Sequence, residues 1–369
     1  MIRHSGIGVF LRNLLAQWAI EPPAFSLHLL GDPELLRDAV PANLNATIAE
    51  WTPRLYALAG ALFPPTLPAD VAAWYSPHYA TCLRGKLPLV CHVQDVLHIT
   101  HPTANGTRVY MQSYLSFLRR RAAYILTTSR HVKVQLQTLY RFEPSRVLIT
   151  GVGPGILGPA AKQGARSYQF PPRYLLAVGI DKPHKNWKFL LERLAAMKSI
   201  SGLVVPPKAR PHASLPPLVA LGLGKDEQKI RAQAAALNLT ANDIIFPGSL
   251  TDADMAAAYA GAAALLFPSI AEGFGLPILE AMASGAPLLI ADRSPMREIA
   301  AGCAWTFDPD WPETFDAALR DLLTNTPERA RLIDCAKTRA AEFTWSKTAR
   351  HVEAAIMRAV TGELPGENV

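Results

Sequence analysis

Two carboxylates eight residues apart carry the strongest chemical signal in this sequence. Glu272 sits in a glycine-containing stretch, PSIAEGFG, and Glu280 lies on the helix expected to follow it. Gly273 and Gly275 flank Phe274 and allow tight turns and close backbone approach to a ligand. Leu276 and Pro277 suit the first turn of a helix, and Gly285 suits its end. A glycine loop leading into a helix start presents free N–H groups to an anion, typically phosphate. Carboxylates accept from hydroxyls, so a sugar and a ribose are natural partners for the two glutamates.

Other residues are open to chemical and plain readings alike. In VCHVQDVLHITHP, Asp95 fits a helix cap, a turn or a role in a binding cleft. His92, His98 and His101 suggest a metal at first sight, but no carboxylate is spaced to complete a site. Packing and hydrogen bonding suit them better. Asp252-Ala253-Asp254 follows Thr251 at the start of a helical pattern, which reads as capping. Asp308-Pro309-Asp310 reads as a turn. The glycines at 151, 153 and 155 lack the spacing of a dinucleotide fingerprint.

Short apolar runs must position these groups. Strands are expected at 25–30, 87–92, 124–127, 147–149, 174–178, 218–221, 244–246, 264–267 and 287–290, with helical patterns between most of them. Such alternation implies α/β architecture, doubly wound parallel sheets with helices on both faces. At 369 residues the chain exceeds the usual size of one core. Glycines, prolines and weak periodicity at 151–172 mark the break between domains. A Pro-rich stretch at 205–217 reads as a surface loop.

Composition narrows the class further. Half the residues are hydrophobic, too many for a disordered chain. No apolar run approaches the roughly 18–20 residues that span a bilayer, and the N-terminus lacks the pattern of a secretory signal. Four scattered cysteines, without Cys-x-x-Cys, suggest neither a disulfide framework nor a zinc frame and fit a reducing cytosol. Residues 1–165 hold 15 Lys+Arg against 8 Asp+Glu, net +7, whereas 166–369 hold 22 of each. The basic half has no nucleic-acid-binding spacing, so nucleic acid is not an expected partner. Arg119-Arg120-Arg121 fits a solvated helix face or, alternatively, peripheral contact with anionic lipid.

The stretch 264–298 resembles the retaining family-4 glycosyltransferases (glycosyl transferases group 1), whose E-x7-E motif appears as Glu272-GFGLPIL-Glu280. SGIGVFLRNLL is similar to the family's first glycine loop and helix. VGIDKPHKN resembles the loop after the first strand of its second domain, and FTWSKTA the start of its closing helix. The resemblance implies GT-B architecture, two Rossmann-like domains facing a cleft. Residues 1–165 would form the acceptor side, 166–344 the nucleotide-sugar domain, and 345–369 a closing helix and tail. Carried over by position, Glu280 holds the ribose, and Glu272 touches the donor sugar, with Gly273, Phe274, Gly275 and Leu276 near sugar and phosphates. Lys185, beside Asn186, neutralises the diphosphate, and Gly6 and Gly8 approach donor phosphates or acceptor. The family requires no metal and no cofactor beyond the nucleotide-sugar substrate.

Three departures accompany the resemblance. Only four residues precede Ser5, so the family's first strand is expected to be absent here, with either a start upstream of Met1 or an incomplete domain as the reading. Gln94, before Asp95, stands where many relatives have the histidine that helps position the sugar; His92, His98 and His101 remain candidates to replace it. Ile180 stands where some members place an arginine. The implied activity is retaining transfer of a sugar, mannose from GDP-mannose first, to a glycan or lipid-linked acceptor in polysaccharide assembly. The setting would be the cytoplasm, peripheral at the inner membrane face. The alternative is a non-catalytic protein of the same fold that binds a sugar nucleotide. A dehydrogenase would need a G-x-G-x-x-G after its first strand, which SGIGVF does not supply.

Overall fold

Four-residue runs such as LVAL, ALLF and LLIA can be central strands only if both faces are covered. In a computed structural model they are parallel strands buried at every residue. The structure describes residues 6–50, 66–82, 84–102, 104–155, 167–204 and 215–362. The chain divides into two units, Met1–Ala160 with Phe343–Val369, and Ala161–Glu342.

The first unit runs α1 (Gly6–Ile20), β1 (Leu27–Gly31), α2 (Pro33–Ala39), β2 (Ala46–Glu50), β3 (Trp74–Ser76), β4 (Leu89–His92), α3 (Leu97–Thr100), α4 (Asn105–Arg121), β5 (Tyr124–Thr127), α5 (Arg130–Tyr140) and β6 (Val147–Ile149). Among the described residues its strands form a parallel sheet in the order β3-β4-β5-β6 and a separate parallel pair, β1-β2. The expectation of a missing first strand concerns residues 1–5, which lie outside the described residues. Met111, Leu115 and Leu118 of α4 pack with Val132 and Leu136 of α5 over β4 and β5.

The second unit runs β7 (Leu175–Val178), α6 (Trp187–Val204), β8 (Leu218–Leu221), α7 (Glu227–Ala236), β9 (Ile244–Ile245), α8 (Asp252–Gly261), β10 (Ala264–Phe267), α9 (Leu276–Ser284), β11 (Leu288–Ala291), α10 (Met296–Ala300), β12 (Trp305–Phe307), α11 (Pro312–Thr324) and α12 (Thr326–Ala340). Its six strands are parallel in the order β12-β11-β10-β7-β8-β9. This is the doubly wound order, in which the chain moves outward in opposite directions from β7 and β10. The expected α/β fold of GT-B type, with two Rossmann-like units, is present. The short strands β2, β3 and β12 were not expected, because runs of three to five residues carry too little periodicity to read. Parts of the expected interdomain connection (156–166) and Pro-rich loop (205–214) lie outside the described residues.

Thr344 caps a last helix, α13 (Trp345–Thr361), by accepting from the Lys347 N–H. This helix returns to the first unit, where Trp345 Nε1 donates to the Pro154 carbonyl at 3.1 Å and Trp18 Nε1 donates to Glu353 at 2.7 Å.

Two readings of the sequence need correction. Cys303 and Cys335 are joined as a disulfide, because α12 brings Cys335 back beside the turn before β12. Sequence spacing could not show that approach. The three arginines at the end of α4 are not one solvated set: Arg121 donates to the Gly85 and Leu87 carbonyls at 3.0 and 2.6 Å, tying α4 to the approach to β4. Arg120 is exposed.

Candidate functional site

Ligands of doubly wound sheets gather at the carboxyl ends of the strands where the winding reverses. In the second unit that point lies between β7 and β10. The loops after these strands are joined there, the Ile270 N–H donating to the His184 carbonyl at 2.8 Å. The contact brings two of the expected residues together: Lys185 Nζ lies 2.6 Å from Glu272 Oε1. Both side chains are largely screened from water, at 16% and 9% exposure.

Local backbone chemistry makes this possible. Residues Pro183–Lys185 form one 3-10 turn, and Asn186 follows at φ +58°, a region asparagine tolerates better than most residues. The chain then enters α6 at Trp187, whose Nε1 donates to the Gly179 carbonyl at 3.2 Å. Gly179 has φ +141°, which disfavours any side chain, and a Cβ there would lie 3.6–3.8 Å from the end of Lys185. Lys185 Nζ also lies 5.5 Å from the centre of the Phe267 ring.

Glu272, Gly273, Phe274 and Gly275 are all buried. Gly275 caps α9 at φ +107° with Pro277 in the first turn, and Gly285 ends the helix at φ +76°. The positive end of the α9 dipole therefore meets the loop that carries Glu272. Glu280 is on the second turn of the same helix and is also buried. Tyr259 of α8 lies close to it. Burial first, and then the charge of Glu280, push the Tyr259 phenol well above its ordinary pKa, so it stays protonated. Sequence reasoning missed Tyr259; its signal was a lone aromatic among alanines on a helix leading into the site strand.

The first unit holds the other expected residues. Gly6 and Gly8 are not in a loop but in the first turn of α1, with Gly8 buried. Asp95 Oδ1 accepts the Leu97 N–H at 2.9 Å, the turn its position allowed, while Val96 occupies the N-cap of α3 without a side-chain bond. Gln94 accepts from the Thr128 hydroxyl through its backbone carbonyl at 3.4 Å, while its side-chain Nε2 is buried with no partner among the described residues. His92, at the end of β4, is buried with neither ring nitrogen hydrogen-bonded among the described residues, and its ring meets Phe10 edge-on at 4.5 Å. Burial pushes its pKa down to about 3. His98 Nδ1 lies 2.8 Å from the Tyr79 hydroxyl, and the His78 ring packs 4.1 Å from Tyr79. Burial, followed by the proximity of His98, lowers His78 to about 4. His78 and Tyr79 were also missed, because they follow the unexpected strand β3. Among the described residues no group of His, Cys, Asp and Glu is arranged to hold a metal.

Asp254 is a structural residue. It completes a capping box with Thr251 and accepts from the backbone and hydroxyl of Ser167 and the Tyr168 N–H, which holds its carboxyl far below the ordinary range. Arg293 bridges Asp308 and Asp310 at 3.0 and 2.6 Å.

Residues 168–339 match the family model of glycosyl transferases group 1. The chain is similar to the O-antigen chain mannosyltransferase RfbU of Salmonella typhimurium, 23% identical over 68% of this chain and 70% of that protein. It is also similar to the serotype-specific mannosyltransferase WbdA of Escherichia coli, 27% identical over 49% of this chain but only 21% of that one. In fold it resembles Anabaena HepE, crystallised with UDP and glucose, with a TM-score of 0.65 and 17% identity over 94% and 95% of the two chains.

Proposed function

We propose, for a chain whose second unit is a glycosyl transferases group 1 domain, that it moves a hexose from a nucleotide-diphosphate donor to a glycan or lipid-linked acceptor in polysaccharide assembly. The donor we infer is GDP-mannose, in keeping with the mannosyltransferase relatives, and the transfer retains anomeric configuration. One observation carries the reading: Lys185 and Glu272 meet at the switch point beside a glycine-capped helix start.

The chemistry follows from charge. As the glycosidic bond breaks, negative charge grows on the β-phosphate of the leaving nucleotide. Lys185, supported by Asn186, and the positive end of α9 stabilise that charge without a metal. Glu280 accepts from the ribose hydroxyls and Glu272 from the donor sugar, while Gly273, Phe274, Gly275 and Leu276 line the sugar and phosphates. Gly6 and Gly8 serve the donor phosphates or the acceptor, and Gln94 and Asp95 take the catalytic positions beside the sugar. The leaving phosphate takes the acceptor proton, so no enzyme nucleophile is needed.

The site of action we infer is the cytoplasm, at the inner membrane face. No helix among the described residues is long and apolar enough to cross a membrane. Helices α4 and α5 contain six Lys+Arg and no Asp or Glu, and they expose Val109, Phe117, Val134 and Leu139. That combination is complementary to an anionic lipid surface. Replacing Phe117 with Ser and Arg120 with Gln should then release the protein from phosphatidylglycerol vesicles; undiminished binding refutes the lipid contact.

A panel of GDP, UDP, dTDP and ADP with their sugars tests the main reading. A selective rise in Tm with GDP and GDP-mannose, followed by GDP release on adding acceptor glycan, is expected. No response to any nucleotide refutes it. Donor binding without transfer or hydrolysis would favour the non-catalytic alternative, which Gln94 in place of histidine supports.

A further inference from the structure

We propose that the Lys185–Glu272 ion pair is a latch that favours intact nucleotide sugar over the nucleoside diphosphate left after transfer. The inference rests on the donor roles proposed for these two residues.

With no ligand present, the Lys185 ammonium already has a carboxylate partner at 2.6 Å. It is also flanked by the Phe267 ring, with Gly179 beside the end of its side chain. The other carboxylate of this loop, Asp181, is committed to Lys229 at 2.5 Å. A diphosphate that needs Lys185 must therefore draw it away from Glu272. Glu272 would then be left as a carboxylate largely screened from water with no cation. Removing one partner of such a pair is costly, because the remaining charge has neither water nor a counter-ion.

A nucleotide sugar avoids that penalty. Its diphosphate takes the lysine, and its sugar hydroxyls donate to the glutamate, so both halves of the opened pair are satisfied. The product diphosphate offers only the first interaction. It either strands Glu272 or leaves Lys185 in place and forgoes its cation. Either way it binds less well than the donor, which speeds product departure. Inorganic phosphate and pyrophosphate meet the same obstacle.

Titration calorimetry on the full chain tests this with GDP and GDP-mannose, and with UDP and UDP-glucose as a second pair. The unaltered protein should bind its sugar nucleotide about tenfold or more tightly than the matching diphosphate. Glu272→Gln removes the charge that holds Lys185. It should tighten diphosphate binding about tenfold and weaken sugar-nucleotide binding, so the preference collapses or inverts. Equal affinity of the unaltered protein for the two ligands overturns the latch, and this readout needs no variant to fold. So does Glu272→Gln binding diphosphate no better than before, which would mean that Lys185 serves carboxylate and phosphate at once. Absence of binding by every nucleotide refutes the donor roles themselves and the latch with them.

Discussion

Acid should loosen the first unit through its buried histidines. His92 is held at a pKa of about 3 and His78 at about 4, against an ordinary 6.5, in both cases chiefly by burial. When the chain unfolds, both imidazoles return to the ordinary value and bind protons more readily. Falling pH therefore favours the unfolded state. The contribution of each group is fully present above about pH 6.5 and is lost as pH falls toward the folded values. At pH 5 the unfolded imidazole lies 1.5 units below its pKa, while the folded one remains almost wholly neutral. Each group then costs about 2 kcal/mol, or about 4 together, comparable with the ~5 kcal/mol at the low end of domain stability. Hydrogen exchange of peptides covering β4 and β5, corrected for intrinsic rates, reads the opening equilibrium where His92 lies. Protection should fall about a thousandfold between pH 7.5 and 5.0. His92→Leu should recover about thirtyfold of that loss. Neither ring nitrogen has a partner among the described residues and the ring rests on Phe10, so an apolar replacement strands no hydrogen bond there. Protection independent of pH, or a His92→Leu variant that keeps the full loss, refutes the reasoning.

Lys185→Ala should weaken nucleotide-sugar binding tenfold or more by calorimetry, the worth of a charged hydrogen bond at ~1.5–3 kcal/mol; unchanged affinity removes the lysine from the donor site. Glu280→Ala should weaken nucleoside diphosphate and nucleotide sugar alike, because ribose is common to both, and a loss confined to the sugar nucleotide would reassign Glu280. Thr251→Ala removes the cap of α8 and should cost about 1 kcal/mol in urea unfolding; no change would show that Asp254 holds the helix end alone. Alkylation of the denatured, unreduced protein should tag Cys82 and Cys91, and all four cysteines after reduction; four tags without reduction would refute the disulfide.

The second unit was the more legible half. Its strands are buried on both faces, so Leu218–Leu221 and Ala264–Phe267 stand out as unbroken apolar runs between polar turns. Pro277 and Gly285 punctuate α9 through backbone constraints that act wherever those residues stand. The first unit was less legible. Trp74–Ser76 is three residues long and shows its character only when paired with β4. His78 and Tyr79 depend on that strand for their place, so nothing near them in sequence marked them out. Gly6 and Gly8 were expected in a loop from the family resemblance alone, yet they stand in the first turn of α1, where glycine's cost to a helix is least felt.

By itself the sequence determined the α/β alternation, the glycine-capped helix start and the presence of two glutamates eight residues apart. Each of these follows from local propensity and spacing. Only the tertiary structure decided that Lys185 pairs with Glu272, that Cys335 reaches Cys303, that Tyr259 lies beside Glu280, and that α13 returns to the first unit. Those contacts join residues far apart along the chain. They form because burying the parallel strands brings their carboxyl-end loops and covering helices together, a consequence of packing that no local pattern encodes.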